Sequence, residues 1–371
     1  MNPDVQPEQQ QPAIPAPLPI EQSPSGLQLK KGSKRKKIFL FSGLGLLVAI
    51  LAVATAGFFW YQSQLSAVGT NKDAFIKVTI EPDSTPSMIG KLLHDKGLIR
   101  SQEAFGFYTR ISRTQNNLQA GAYRLSPSET TPEIVEHLTS GKVDSFNLTF
   151  LPGATLAQNR TVLIKAGYSE TEVDTALKST YTSPLLQGKP ATADLEGYIY
   201  GETYNFSSDA TVKDILAHTF EVYWQYINEN NLVAKLKAQN LTLYQGITLA
   251  SIVQRESIGG DEAKIASVFY NRLAGGIELG SDVTYQYIAD KTGVARDVNL
   301  DSPYNTRRYP GLPPGPIATP GKASLEAVAT PAKTNYLFFL SGDDNVTYYA
   351  TTLAQHEANI AAHCQIKCST L

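Results

Sequence analysis

Apolar residues recur at helical spacing between residues 246 and 256 and lead to a carboxylate on the same face. The apolar positions of this predicted helix are Leu249, Ile252 and Val253. Glu256 occupies the next position of that face, so its side chain is predicted to point to the core or to a cleft. Burial raises the pKa of a carboxyl group and keeps a proton available for general-acid chemistry at neutral pH. The alternative interpretation is a structural ion pair, with Arg272 as the cation.

Upstream of this helix, alternating and helical patterns predict a small α+β unit over residues 75–145. Strands are predicted at 75–80 and 122–125. The predicted helices begin at Ser84, Ser101 and Thr131, and Gly97 and Gly141 close the first and the last of them. A further strand is predicted at 146–150. The unit is large enough to be a separate domain.

The downstream pattern is a mixture of helices with one hairpin, so the predicted fold class is α+β. Helices are predicted at 170–177, 211–231 and 261–273, and a hairpin is formed by 336–340 and 347–350. A final helix carries His356, for which a structural role is the more frequent one. Residues 310–316 contain only Pro and Gly apart from Leu312, which predicts a rigid, irregular loop of the kind that shapes binding sites.

The N-terminal region predicts a membrane anchor. Residues 1–37 form a tail rich in Pro and Gln that ends in a basic cluster and cannot bury a core. The uncharged run 38–61 is long enough to span a bilayer. The alternative is a cleaved signal peptide, but the tail and the apolar run are too long for one. The basic cluster predicts a cytoplasmic tail, with a linker at 62–74 and all that follows outside the cytoplasm.

Charge and motifs exclude several classes of function. The net charge of −2 gives no global signal for nucleic-acid binding. The chain has no zinc-hydrolase H-E-x-x-H, no G-x-S-x-G elbow, no P-loop and no G-x-G-x-x-G. No motif requires a metal or another cofactor. Cys364 and Cys368 are close enough in sequence for a local disulfide, and free thiols are the alternative.

Polar and aromatic residues concentrate between 254 and 309 and indicate a carbohydrate site. Hydroxyl, amide and aromatic groups suit a sugar, which presents hydroxyl groups and C–H faces. Cleavage of a glycosidic bond needs a carboxylic acid, and a second carboxylate usually serves as base or nucleophile. Asp282 is the nearest candidate for the second group, and a turn or capping role is its alternative. The other polar candidates are Ser281, Tyr304 and Asn305.

Several ordered motifs together resemble those of MltG-type (YceG-like) endolytic murein transglycosylases, over roughly residues 75–360. The resemblance rests on the segments 119–123, 195–198, 249–257, 266–273, 304–306 and 311–317. The departures are the absence of Pro at Val283, the absence of Glu after Pro152, and an altered stretch at 345–349. These departures leave Glu256 untouched.

The resemblance implies an activity and a role for each matched residue. Glu256 matches the catalytic Glu, which cleaves the MurNAc–GlcNAc β-1,4 bond of nascent strands and leaves 1,6-anhydro ends. Asp282, Asn305 and Tyr304, with Ser281, are expected to position the sugar or tune Glu256. Glu196 is expected to support the site, and its alternative is a turn carboxylate bonded to backbone amides.

The resemblance also implies a layout. Residues 75–145 would be a LysM-like module, 146–363 the catalytic domain and 364–371 a short tail. Peptidoglycan strands would be the substrate, and peptidoglycan synthases are expected partners. Two rivals remain at this point: a non-catalytic peptidoglycan-binding anchor, and a hydrolase that uses water. A raised but not extreme pKa of Glu256 is expected, and a strongly depressed one would count against the acid.

Overall fold

The computed structural model describes residues 34–72, 74–140 and 145–370. The chain divides into two compact units, Met1–Phe59 and Trp60–Leu371. The predicted tail lies outside the described residues, except that Lys34 begins the first helix.

The first helix, α1, runs from Lys34 to Leu65. Its segment Gly45–Leu65 is 21 residues long and apolar enough to cross a membrane, and its residues from Gly45 to Trp60 are all exposed. A helix that is apolar all round and exposed requires apolar surroundings. The predicted linker at 62–74 is wrong for its first residues, because the helix continues to Leu65, whose side chain is buried.

The predicted α+β unit is present over residues 76–140. Its elements are β1 (Ile76–Ile80), α2 (Pro86–Asp95), α3 (Gln102–Ile111), β2 (Gly121–Leu125) and α4 (Thr131–Ser140). The two strands are antiparallel, with Val78 opposite Tyr123. The helices cover the strands and share a hydrophobic core with them. The N-cap of α2 is Thr85 and not the predicted Ser84, because the Thr85 hydroxyl accepts the N–H of Met88.

A second hydrophobic core begins at Leu148 and extends through most of the remaining chain. The first elements around it are β3 (Ser145–Thr149), α5 (Leu156–Lys165), α6 (Glu170–Leu177), β4 (Thr203–Ser207), α7 (Val212–Glu229) and α8 (Leu232–Ala238). Strands β3 and β4 pair antiparallel. The predicted long helix at 211–231 is α7, and the unpredicted α8 starts after Asn231, whose left-handed φ of 53° ends the preceding helix.

The centre of this core is α9 (Leu243–Glu256), on which four helices pack. These are α8 and three further helices, α10 (Glu262–Ala274), α11 (Asp282–Thr292) and α12 (Lys322–Ala329). The middle of α9 is fully buried on all sides, from Gly246 to Val253. The prediction included α10 but missed α11 and α12, whose short lengths carry little periodic signal.

The chain ends in the predicted hairpin and helix. Strands β5 (Phe338–Ser341) and β6 (Thr347–Ala350) pair antiparallel, and α13 (Leu353–His363) follows them. His356 stacks on Phe338 with ring centroids 5.2 Å apart, which is a packing role. Cys364 and Cys368 form a disulfide, so the sequence alternative of free thiols is not what the structure contains. The fold is mixed α+β, as predicted.

Candidate active site

The carboxylate of Glu256 stands at the last residue of α9. The helix begins with a capping box, in which Thr242 and Gln245 satisfy each other's backbone N–H groups. Its middle is buried, and Ser257 leaves the helix in an extended conformation. A helix that is immobilised along its length and stops at Glu256 presents that side chain in a fixed position, half-buried at the helix end.

Two polar residues on the same helix hold the Pro- and Gly-rich loop. The hydroxyl of Ser251 accepts the N–H of Ile317 at 3.0 Å, and the amide oxygen of Gln254 accepts the N–H of Gly321 at 2.8 Å. Gly197 packs under this loop with a φ of +81°. The predicted rigid loop is therefore bound to the helix that carries Glu256.

Ser281 donates a hydrogen bond to Glu256. Its hydroxyl lies 2.5 Å from Oε1 of Glu256 and is almost fully buried. Ser281 is the N-cap residue of α11, yet its side chain makes no capping hydrogen bond. A serine at this position normally caps the helix. Here the hydroxyl serves the carboxyl group instead.

Buried hydroxyl groups fix Ser281 in place. The N–H of Ser281 donates to the hydroxyl of Thr306 at 3.2 Å, and the hydroxyls of Thr306 and Thr284 are 2.9 Å apart. Thr284 also donates to the carbonyl of Ser281 at 2.7 Å. All three residues are at most 3% exposed. Ser281, which donates to Glu256, is therefore held inside the protein by a network of buried hydrogen bonds.

The pKa of Glu256 is raised, as the sequence predicts for a buried acid. Burial is the main cause, and the charge of Asp282 adds to it. The hydrogen bond from Ser281 and the positive charges of Arg307 and Arg255 act in the opposite direction. Asp282 is bound by the guanidinium of Arg307, so its charge is largely neutralised. The net effect is a pKa of Glu256 above its ordinary value, with burial as the largest cause.

The alternative of an ion pair with Arg272 is wrong. The guanidinium of Arg272 donates to the backbone carbonyls of Leu337, Glu278 and Leu279 at 2.6 to 3.1 Å. Glu256 takes part in no ion pair among the residues that the structure describes. Its carboxyl group therefore has no cation partner that would depress the pKa strongly.

Tyr304 and Asn305 have different surroundings. Tyr304 is half-buried, and its ring lies 5.5 Å from that of Tyr287. Asn305 is fully buried, and its amide donates to the carbonyls of Val298 and Leu300. Because its side chain is buried, Asn305 does not face a position where a sugar could contact it. Its hydrogen bonds hold the loop that supplies Thr306 and Arg307.

Glu196 lies in the segment that precedes β4 and is 4% exposed. Its Oε1 accepts the N–H of Leu156, the first residue of α5, and its Oε2 accepts the hydroxyl of Tyr287. Burial raises its pKa to about 7. The alternative of a carboxylate bonded to a backbone amide is thus correct in part, and the bond to Tyr287 links it to α11.

A model of the YceG-like family matches residues 78–362. The chain belongs to the YceG-like family. An endolytic murein transglycosylase of Bacillus subtilis strain 168 is 31% identical over 318 residues, which cover 81% of this chain and 88% of that protein. An endolytic murein transglycosylase of Streptococcus pneumoniae strain D39 is 27% identical over 362 residues. The chain spans 65% of the length of that second relative.

The crystal structure of a YceG-like protein of Listeria monocytogenes has a similar fold. It is 30% identical in sequence and superimposes with a TM-score of 0.51, covering 76% of this chain and 98% of that one. The sequence and the fold therefore agree on the family.

Three residues of this YceG-like site were not among the predicted ones: Thr306, Arg307 and Tyr287. Thr306 follows Tyr304 and Asn305 in one short motif, and that adjacency was a usable signal. Arg307 binds Asp282, and Tyr287 binds Glu196. These two partners are 25 and 91 residues away in sequence, so no local pattern could have paired them.

Ser281→Ala is expected to move the activity profile of this YceG-like protein to higher pH. An acid at Glu256 must be protonated to act, so activity is expected to fall as the pH rises through the pKa of this residue. The Ser281 hydrogen bond lowers that pKa, and its loss raises it. We also expect about 10-fold lower maximal activity, because the carboxyl loses a charged hydrogen bond that orients it. The pH dependence of kcat/KM measures the shift.

Ser257→Ala is the matched control for this prediction, because the hydroxyl of Ser257 binds Asp261. An unshifted pH profile for Ser281→Ala would contradict the assignment.

Glu196→Gln is expected to remove a pH dependence of stability. The folded pKa of about 7 exceeds the ordinary value of 4.5 for a glutamate, so the folded state binds more protons than the unfolded state between these values. The free energy of unfolding of the wild type therefore falls as the pH rises from 4.5 to 7. Between pH 4.5 and 7, the free energy of unfolding of the wild type is expected to fall by about 3 kcal/mol relative to that of Glu196→Gln. Urea unfolding of both proteins at pH 4.5, 6 and 7.5 measures the difference, and parallel pH profiles would refute it.

Proposed function

We propose that this chain is a membrane-anchored endolytic lytic transglycosylase of peptidoglycan. It cleaves the β-1,4 bond between N-acetylmuramic acid and N-acetylglucosamine in nascent strands and leaves 1,6-anhydro ends, which ends strand elongation. The observation that carries the proposal is Glu256: a carboxyl with a raised pKa, hydrogen-bonded to Ser281, at the end of a buried helix. The relative from Bacillus subtilis, matched over 81% of this chain, bears the name of this activity.

Glu256 acts first as an acid. Its proton passes to the glycosidic oxygen as the bond to the anomeric carbon breaks, and positive charge develops on the sugar ring. The raised pKa of Glu256 favours the protonated carboxyl that this step needs. Ser281 holds the carboxyl in one orientation.

Glu256 acts next as a base. The ionised carboxylate takes the proton of the 6-hydroxyl group of the same sugar, whose oxygen attacks the anomeric carbon and closes the anhydro ring. The carboxyl ends the cycle protonated, so no proton is gained or lost. A second free carboxylate is unnecessary, which agrees with the binding of Asp282 by Arg307. Tyr304 and Asp282 lie beside this reaction and position the sugar.

The proposal includes a membrane location for this activity. The apolar helix anchors the protein, the N-terminal tail is cytoplasmic, and the part after it is exported. Residues 75–145 form a LysM-like module, 146–363 the catalytic domain and 364–371 a tail. Peptidoglycan synthases are partners through the membrane helix or the tail. The Cys364–Cys368 disulfide fits an oxidising compartment.

The test is incubation of the full-length protein in detergent with uncrosslinked glycan strands, followed by mass spectrometry of the fragments. Internal cuts with anhydro ends are the expected products. Products heavier by one water with free reducing ends would identify a hydrolase instead. Intact strands would favour the rival of a non-catalytic binding protein.

A further inference from the structure

A cavity of about 530 Å³ lies between the start of α5, the segment around Glu196 and one face of α11. This volume is in the range of sites that bind small ligands. Leu156, Leu177 and the ring of Tyr287 supply apolar walls. Glu256 is not among its lining residues, so the cavity is separate from the position of the proposed acid.

The carboxylates that line this cavity are already neutralised. Asp194 is bound by Lys291 at 2.7 Å, and Asp290 is bound by both arms of Arg296. Glu196 is satisfied by Leu156 and Tyr287 and has a raised pKa. These groups therefore offer no net charge that would repel an anion.

Arg255 is the contrasting member of the lining. It is half-buried and forms no ion pair with any residue that the structure describes. Another lining cation, Arg160, is occupied by Asp174 and Glu170. A guanidinium that lines a cavity without a carboxylate partner favours an anionic ligand, and a carboxylate suits its paired donors.

The first turn of α5 points to the same ligand chemistry. The N–H groups of Leu156 and Gln158 are used by Glu196 and Thr155. Ala157, between them, is an exposed residue, and its N–H has no hydrogen-bond acceptor among the described residues. The positive end of the helix dipole is at this turn and favours an anion. The free N–H of Ala157 and the guanidinium of Arg255 come from different helices, α5 and α9, and both residues line the same cavity.

The cavity is close to the proposed site of cleavage. Arg255 directly precedes Glu256 in α9. Helix α11 starts beside Ser281 and brings Tyr287 to the cavity, a rise of about 9 Å along the helix. A tripeptide in extended form spans about 10 Å. A substituent that hangs from the sugar at Glu256 can therefore enter this cavity.

We propose that this cavity is a subsite for the peptide stem of the glycan strand, in which Arg255 and the free end of α5 bind a carboxylate of the stem. The inference rests on the proposed function, because peptide stems are attached to the N-acetylmuramic acid residues of peptidoglycan. They carry free carboxylates and are short enough for the cavity. The subsite selects stretches of strand that bear peptides.

The test compares three substrates with the full-length protein in detergent. They are uncrosslinked strands with stems, the same strands stripped of stems by an amidase, and strands whose stem carboxyls are converted to amides. All three lack the lipid pyrophosphate. The stripped strands keep the lactyl carboxylate that the amidase leaves on each N-acetylmuramic acid, whereas the strands with amidated stems have lost their stem carboxylates but keep the rest of the stem. We expect kcat/KM of the wild type to be about 10-fold higher on strands with stems than on the other two, mainly through KM.

Arg255→Gln is expected to reduce this preference to a ratio near one, and Arg255→Lys to restore part of it. The ratio between substrates is used because Arg255 also influences the pKa of Glu256, which affects all substrates alike. Arg110→Gln, an exposed change on α3, is the matched control and keeps the wild-type ratio.

The outcomes separate this subsite from the proposed function. Equal cleavage of all three substrates by the wild type overturns the subsite and leaves the transglycosylase intact. The subsite is also overturned if the wild type cleaves strands with amidated stems as well as strands with free stem carboxylates. It is overturned again if Arg255→Gln keeps the full wild-type ratio of kcat/KM between substrates. Failure to cleave any strand overturns the proposed function itself.

Discussion

Glu256→Gln is expected to lower the rate of strand cleavage by about 10³-fold or more. Glutamine can neither release a proton to the glycosidic oxygen nor take one from the 6-hydroxyl group, and positioned acid–base groups contribute about 10²–10⁴-fold. Its amide oxygen can still accept the hydrogen bond from Ser281, so the surroundings of α9 are retained. Anhydro ends counted by mass spectrometry after incubation with strands measure the rate.

The same substitution has an opposite effect on stability. Because the pKa of Glu256 is raised in the folded state, ionisation of the wild-type residue opposes folding above pH 4.5. Glu256→Gln removes that opposition, so its free energy of unfolding at pH 7 is expected to be at least that of the wild type. Glu262→Gln, in the first turn of α10, is the control and changes neither quantity. Full activity of Glu256→Gln would remove this residue from the mechanism.

Gly197→Ala is expected to destabilise the protein by about 2–4 kcal/mol and to reduce activity as well. Its φ of +81° disfavours any residue with a Cβ. That Cβ would lie 2.5 Å from the Cβ of Pro316. Pro316 precedes Ile317, whose N–H is held by Ser251 of α9, so the displacement reaches the helix that carries Glu256. Urea unfolding and strand cleavage measure the two effects.

Gly188→Ala is the matched control for this prediction. Its φ is also +81°, but an added Cβ meets nothing within 4 Å. We expect only the backbone strain, about 1–2 kcal/mol, and wild-type activity. Equal losses for both variants would mean that contact with Pro316 contributes nothing.

The sequence predicted the elements whose own pattern is strong. The helix of Glu256 is long, periodic and capped, and the hairpin has alternating residues around a turn, so both were found at nearly their true bounds. Helix α11 was missed because its start, Asp282, reads equally well as a turn. Its buried residues are Thr284, Tyr285, Tyr287 and Ala289, and this face gives little apolar signal.

The sequence predicted which residues belong to the site better than it predicted the partners that their side chains bind. Ser281 was a candidate for sugar contact, and the structure turns its hydroxyl to Glu256. Asn305 was a candidate for the same role, and burial commits its amide to a loop. Both outcomes depend on tertiary packing, since residue type tells what a group can bond and not which partner lies beside it.

The helix of Glu256 also determines when this enzyme can begin to act. Its acid meets Ser281 across 25 residues, and its loop contacts at Ile317 and Gly321 span 66 and 67 residues. Synthesis proceeds from the N-terminus, so Glu256 is synthesised before the groups that orient it. A chain truncated before residue 321 would contain Glu256 and lack the contact between Gly321 and Gln254 of the same helix. An unfinished copy therefore lacks the contacts that orient Glu256, and the site can form only when the chain is nearly complete.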